Sequence, residues 1–319
     1  MLLDLFSNPM DTLMSLLISL PGIFLALSAH EAAHGWVAFK CGDPTAKLMG
    51  RITLNPLKHL DPIGFLCMLF AGFGWAHPVP VNPYNYRNSR KDDLKVSLAG
   101  ITANLILFVC GFIVVSGLIT AAYTSLPEFD SMDAYVEYLD ENYLVDKDGF
   151  ARENINAVWT DDGETFVSVI PAGEHAYIVN ANQSKTVYYT CEPDEFFRDE
   201  TLSAGYFLIS NQWGKAGEIA FQMLMSFLYL NLGLAAFNLI PVPPLDGYHV
   251  LNDLILKRPL FADYKVQRAG TGILFTLIMI GNVSPELDVI SIVIGFVRTN
   301  IMSAFTSVFH TLASLINII

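Results

Sequence analysis

Apolar runs dominate this chain, and their lengths sort them. Val96 to Tyr123 and Ile219 to Leu245 contain no Asp, Glu, Lys or Arg, and each exceeds the roughly 20 residues a helix needs to cross a bilayer. Leu13 to Ala29 predicts another helix, extended to about Phe39 by a polar cluster. Gly270 to Val283 and Val289 to Ile319 are apolar too, the latter broken only by Arg298 and His310. Pro62 to Ala76 is apolar but short, which predicts a re-entrant excursion and not a crossing. A different pattern occupies Thr124 to Gln212. AYVEYLDENYLVDKDGFARENINAVW, residues 134–159, mixes polar and apolar positions in a way compatible with helix. TFVSVI, AYIVN and TVYYTC are β-branched and aromatic runs that predict strands. Asp161-Asp162-Gly163 and Ala172-Gly173 predict turns between them.

Together these elements predict a multi-span α-helical membrane protein with a re-entrant segment and a small α+β soluble insertion. Composition agrees: of 319 residues, 53% are hydrophobic and only 15% charged, against about 25% charged in a soluble domain. Three parts are expected: a membrane core over 1–123, an insertion over 124–216 and a second membrane core over 217–319. The first apolar run lacks a basic start and a cleavage site, so it is expected to be a retained helix. Cys41, Cys67, Cys110 and Cys191 form no CxxC pair and predict neither disulfides nor a thiolate metal site.

Charge adds an orientation. Thr124 to Gln212 carries 18 acidic and 4 basic residues, a net of −14 in a chain whose total is −13. The acidity therefore belongs to the insertion. Basic residues gather at Lys40, Lys47, Arg51, Lys58, Arg87, Arg90, Lys91 and Lys95, and again at Lys257, Arg258, Lys265 and Arg268. The positive-inside rule puts both groups in the cytoplasm, and the N-terminus and insertion outside. No nucleic-acid partner is expected.

Into the first span the sequence places His30, Glu31 and His34, an H-E-x-x-H string. Ionisable groups at membrane depth are costly and read by default as functional. On a helix, positions i and i+4 share a face, so both imidazoles can reach one metal ion while Glu31 addresses a water held beside it. That is the arrangement of metal-assisted hydrolysis, in which Zn²⁺ lowers the pKa of bound water to about 7. A catalytic zinc needs a third protein ligand. The best candidate is Asp246, next to last in NLIPVPPLDG, residues 238–247. Its prolines rule out an ordinary helix there, and the stretch lies at the cytoplasmic end of its span, at a depth like that of the first motif. His249 is a rival third ligand; His59, His175 and His310 read as structural. A metal-ion transporter or a catalytically inactive peptide-binding scaffold would also use polar groups in spans, but neither needs Glu31 beside His30.

HEAAH together with NLIPVPPLDG resembles the site-2 protease family of intramembrane zinc metalloproteases. GDPTAKLMGRITLNPLKHLDPIG (42–64), GFGWAHPVPVNPYNYRNSRKDD (72–93) and SLAGITANLILF (97–108) resemble its compact bacterial branch. The likeness covers roughly 13–123 and 217–270. It implies a site-2 protease core with one zinc, held by His30, His34 and Asp246, and Glu31 as general base and later proton donor. It places Asn238 on the substrate backbone or the oxyanion and offers a similar role to Asn104, for which an interhelical hydrogen bond is an equal alternative. It also implies a transmembrane substrate in the lipid bilayer, water access from the cytoplasm, and an upstream site-1-type protease that trims the substrate first. Ile101 stands where these relatives have proline and His77 where lysine is common. The insertion is absent from the compact branch.

Overall fold

The computed structural model describes residues 9–71, 74–142, 144–146, 150–161, 164–174, 178–180, 183–186, 190–191, 203–256, 264–284 and 287–315. His175, Lys257 and Arg258, named above, lie outside these, as do Asp162 and Gly163 of one expected turn. Nine α-helices are described: α1 Pro9–Cys41, α2 Thr45–Leu48, α3 Pro62–Ala71, α4 Ser89–Thr124, α5 Met132–Glu141, α6 Ser203–Asn238, α7 Asp246–Leu251, α8 Tyr264–Val283 and α9 Val289–Leu315. Among the described residues, four helical stretches are long and apolar enough to cross a membrane: Thr12–Cys41, Ser89–Thr124, Leu208–Asn238 and Val289–Val308. This is a multi-span helical membrane protein.

Chain contacts divide it into two compact units, residues 1–112 with 223–298 and residues 113–222 with 299–319. In the first, Phe227 of α6 meets both α1 and α4 where each carries a glycine. A methyl group at Gly22 would lie 3.4 Å from the Phe227 backbone, and one at Gly111 would lie 2.8 Å from Leu228. The Gly111 approach is the tighter of the two, closing on side-chain ends of α6, whereas a methyl group at Gly22 would make ordinary contact.

The short helix α3 spans ten residues, about 15 Å of rise, half of what a crossing needs. Asp61 caps its start by accepting the Gly64 N–H at 2.8 Å. The chain then returns on itself: Leu60 and Ala76 form an antiparallel bridge, and the His77 N–H donates to the His59 carbonyl at 2.7 Å. This is the expected re-entrant segment.

The loop after α1 is organised by Asp43, which is fully buried. Its carboxylate accepts from the Thr45 N–H and hydroxyl, the Asn82 N–H at 2.7 Å and Asn85 Nδ2 at 2.8 Å. Burial opposes the charge, but these donors more than offset it and hold the pKa below the usual carboxylate range.

In the second unit, β1 Glu128–Phe129, β2 Ile155–Asp161, β3 Glu164–Ile170 and β6 Thr190–Cys191 form one sheet in the order β1-β2-β3-β6. β1 runs parallel to β2 and the other pairs are antiparallel. β4 Ile178–Asn180 and β5 Gln183–Thr186 form a separate hairpin. TFVSVI lies in β3, Ile178–Asn180 of AYIVN form β4, and of TVYYTC Thr186 ends β5 and Thr190–Cys191 form β6; residues 176, 177 and 187–189 of these runs lie outside the described residues. The helix expected over 134–159 is corrected: α5 ends at Glu141, and Ile155 onward is strand. Ile155, Ala157 and Trp159 alternate into the core with Tyr135, Leu139 and Ile170. A period of two at β-branched and aromatic residues fits a pleated strand better than a helix.

Candidate metal centre

The site lies within the first unit. On α1, His30 and His34 sit one turn apart, and their Nε2 atoms approach to 3.0 Å. The third arm comes from the far end of the chain. α6 ends at Asn238, the proline-containing loop follows, and Asp246 opens α7. Gly247 packs this turn onto the end of α6: a methyl group there would strike the Leu239 and Ile240 carbonyls, the latter at 2.7 Å. With that close approach, Asp246 Oδ2 lies 3.3 Å from His30 Nε2 and 3.4 Å from His34 Nε2.

Donor chemistry tests whether these atoms fit a metal. His34 Nδ1 faces the Val96 carbonyl at 2.7 Å, and a carbonyl only accepts, so Nδ1 carries the proton and Nε2 presents a lone pair. Asp246 Oδ2 is also an acceptor, buried and without a hydrogen bond of its own. His34 Nε2 and Asp246 Oδ2, both acceptors 3.4 Å apart with His30 Nε2 3.3 Å from the same oxygen, are suited to a cation between them. Ligands of a tetrahedral zinc, each about 2.0–2.2 Å from the ion, lie roughly 3.3–3.6 Å apart. The two Asp246 separations fit; the His–His separation is slightly tight. Among the described residues, His30, His34 and Asp246 are the group whose ligand atoms lie within 4.8 Å of one another.

The surroundings hold these groups in place. Glu31 Oε2 accepts the Val79 N–H at 2.7 Å, and Arg51 fixes that stretch by donating to the His77 carbonyl at 2.6 Å and the Pro78 carbonyl at 3.2 Å. On α4, Gly100 faces the two imidazoles; a methyl group there would fall 2.6 Å from His30 Nδ1. The Gly100, Val96 and Arg51 contacts were missed by sequence reasoning. Their only trace was the small residue in LAGITAN and a basic residue read as loop charge.

Other candidates fall differently. Asn104, one turn beyond Gly100 on the same face of α4, is fully buried, and neither of its amide atoms has a partner. Asn238 turns its Nδ2 back to the Leu234 carbonyl at 3.0 Å. His249 faces Asp93 at 3.2 Å, and that hydrogen bond, against the cost of burial, raises its pKa. His59 is buried with Nε2 on the Thr53 carbonyl at 2.8 Å.

The sequence profile of peptidase family M50 matches residues 19–281, a stretch containing every group of the cluster. The chain belongs to family M50, the site-2 protease family. Three curated relatives share parts of this M50 peptidase. A Bacillus subtilis (strain 168) protein named "Putative zinc metalloprotease YwhC" is 30% identical over 233 residues, 73% of this chain and 67% of that protein. "Putative zinc metalloprotease Rip2" of Mycolicibacterium smegmatis (strain ATCC 700084 / mc(2)155) is 29% identical over 107 residues, 32% of this chain and 41% of that protein. "Putative zinc metalloprotease mll0638" of Mesorhizobium japonicum (strain LMG 29417 / CECT 9101 / MAFF 303099) is 30% identical over 87 residues, 26% of this chain and 24% of that protein. No solved structure matches this M50 chain.

Proposed function

We propose that this M50 peptidase is a zinc metalloprotease that cleaves transmembrane segments of membrane proteins. The observation that carries the reading is the meeting of His30 Nε2, His34 Nε2 and Asp246 Oδ2 beside Glu31 on the same helical turn. His30, His34 and Asp246 are the ligands that hold the metal, and the relatives' names point to zinc. A zinc ion held by these three residues would lower the pKa of a bound water to near neutrality and polarise a peptide carbonyl.

The chain's own residues do the rest. Val79 holds one oxygen of Glu31, leaving the other to take the proton of the attacking water. Hydroxide adds to the carbonyl carbon, the C–N bond breaks, and Glu31 returns the proton to the departing nitrogen. Asn104, one turn beyond Gly100 on α4, is a buried amide whose polar atoms have no partner, suited to the substrate carbonyl oxygen. Asn238 reaches that role by releasing the Leu234 carbonyl.

The charge pattern supports cytoplasmic access to the centre, with the 124–216 insertion outside the membrane between cores 1–123 and 217–319. An upstream protease that trims the substrate's outer part fits this orientation.

The test is a pair of variants in purified protein. Glu31→Gln retains zinc and loses cleavage of a model transmembrane peptide, because the ligands remain and the proton acceptor is gone. Asp246→Ala loses zinc as well as activity. Equal zinc content in Asp246→Ala and wild type removes Asp246 from the ligand set.

A further inference from the structure

Starting one helical turn before Glu31 on α1, the first unit holds a half-open cavity of about 330 Å³. That is at the small end of ligand pockets, roughly 300–1,000 Å³, and too narrow for an intact helix about 10 Å across. Its walls come from α1 (Leu27, Ser28), α3 (Phe65, Met68), the returning re-entrant chain (Trp75) and α6 (Leu230).

Three of these walls run directly into the centre. Leu27 lies four residues before Glu31, on the same face of α1. Trp75 and Ala76 of the wall lead within four residues to Val79, whose N–H holds Glu31 at 2.7 Å. Leu234, also in the wall, accepts the Asn238 amide at 3.0 Å. The cavity therefore begins one helical turn before Glu31, at Leu27 and Ser28, and extends toward the N-terminus of α1. Its lining is mostly apolar, but two wall residues carry buried polar atoms without partners, Ser28 Oγ and His59 Nδ1. An unwound peptide brings N–H and C=O groups that can meet such atoms, whereas a lipid acyl chain brings none.

We propose that this cavity is a specificity subsite that takes one large apolar side chain of the substrate, at a residue flanking the bond that is cut. The proposal rests on the protease reading above. Seating that side chain requires the substrate helix to open locally, which also exposes the carbonyl to attack.

The experiment uses the full-length chain and a set of model transmembrane peptides carrying Ala, Leu, Phe or Trp at each position around the cleavage site. Wild type favours Leu or Phe over Ala at one flanking position. Met68→Trp and Leu230→Trp, which fill the cavity, lower the Phe-to-Ala ratio of kcat/KM by roughly tenfold or more, the scale of apolar pocket discrimination. The change falls mainly on KM, with zinc content at the wild-type level. Phe65→Ala, which enlarges it, moves the preference toward Trp. An unchanged ratio in the filled variants, or an equal loss on every peptide, overturns the subsite.

A second readout does not depend on turnover or on the filled variants folding. In Glu31→Gln, a peptide with a photoreactive leucine at the flanking position cross-links to α1 and α3 residues of the wall. Cross-linking there by a phospholipid with a photoreactive acyl chain, undiminished by excess peptide, assigns the cavity to lipid and overturns the proposal. Zinc-loaded wild type that cuts none of the peptides defeats the protease reading itself, whatever the cross-links show.

Discussion

At the scale of single residues, the centre depends on groups that carry no chemistry of their own. Gly100 is the clearest. A methyl group there meets both imidazoles, so Gly100→Ala forces the His30 and His34 rings apart from Asp246. Overpacking of this kind costs about 1–3 kcal/mol; the expected outcome is reduced zinc content, measured on purified protein, with activity falling in step. Asp253 gives a test with a pH signature. Burial, then the nearby carboxylate of Asp93, pushes its pKa up to about 6, above the unfolded value of about 3.9. A folded pKa above the unfolded one penalises the ionised form, and for an acid that penalty is absent below pH 4 and complete above pH 6. Asp253→Asn should therefore raise the melting temperature at pH 8 and leave it unchanged near pH 4. A gain of equal size at both pH values would show that charge is not the cause.

At the scale of elements, the insertion owes its fold to a small core. Tyr135 of α5 stacks on Trp159 of β2 with centroids 6.2 Å apart, and its hydroxyl bonds Ser168 of β3 at 2.8 Å. Ser168 is fully buried, so Tyr135→Phe strands a polar group and should cost about 1–3 kcal/mol. Trp159→Ala should cost more, about 3–5 kcal/mol, and limited proteolysis would then cut the insertion first. α6 is a second case. Gly214 interrupts it at φ 61° and ψ −154°, a conformation that residues with side chains rarely adopt. The sequence reading began this span at Ile219, so neither the helix from Ser203 nor its break at Gly214 was anticipated.

At the scale of the whole molecule, orientation is the property to measure. A cysteine introduced at Asp133, on α5, should react with an impermeant reagent from outside, and one at Lys58 should not. The reverse pattern would overturn the positive-inside assignment and cytoplasmic access with it. By chain order the insertion links the helix bearing Asn104 to the helix that leads to Asp246, and the role we propose for it is control of substrate admission. Replacing 124–212 with a short flexible linker should leave cleavage of a trimmed substrate near normal and permit cleavage of the untrimmed form. Loss of both, with zinc retained, would make the insertion a capture or scaffold element.

Local rules determined much of this protein. Span length is a count of apolar residues, and the shared face of His30 and His34 follows from 3.6 residues per turn. The β-branched and aromatic runs after residue 160 likewise declared themselves strands. Mixed periodicity failed at 155–159, where Ile155, Ala157 and Trp159 became strand because β3 was there to pair with them. Tertiary structure alone decided the rest. The proton on His34 is set by the Val96 carbonyl, 62 residues away in the chain. The cavity one turn before Glu31 exists only because α1, α3, α6 and the loops flanking α3 meet, and Asn238 spends its amide on its own helix. Distances between residues remote in sequence come from packing, and packing depends on every side chain that shares the interface.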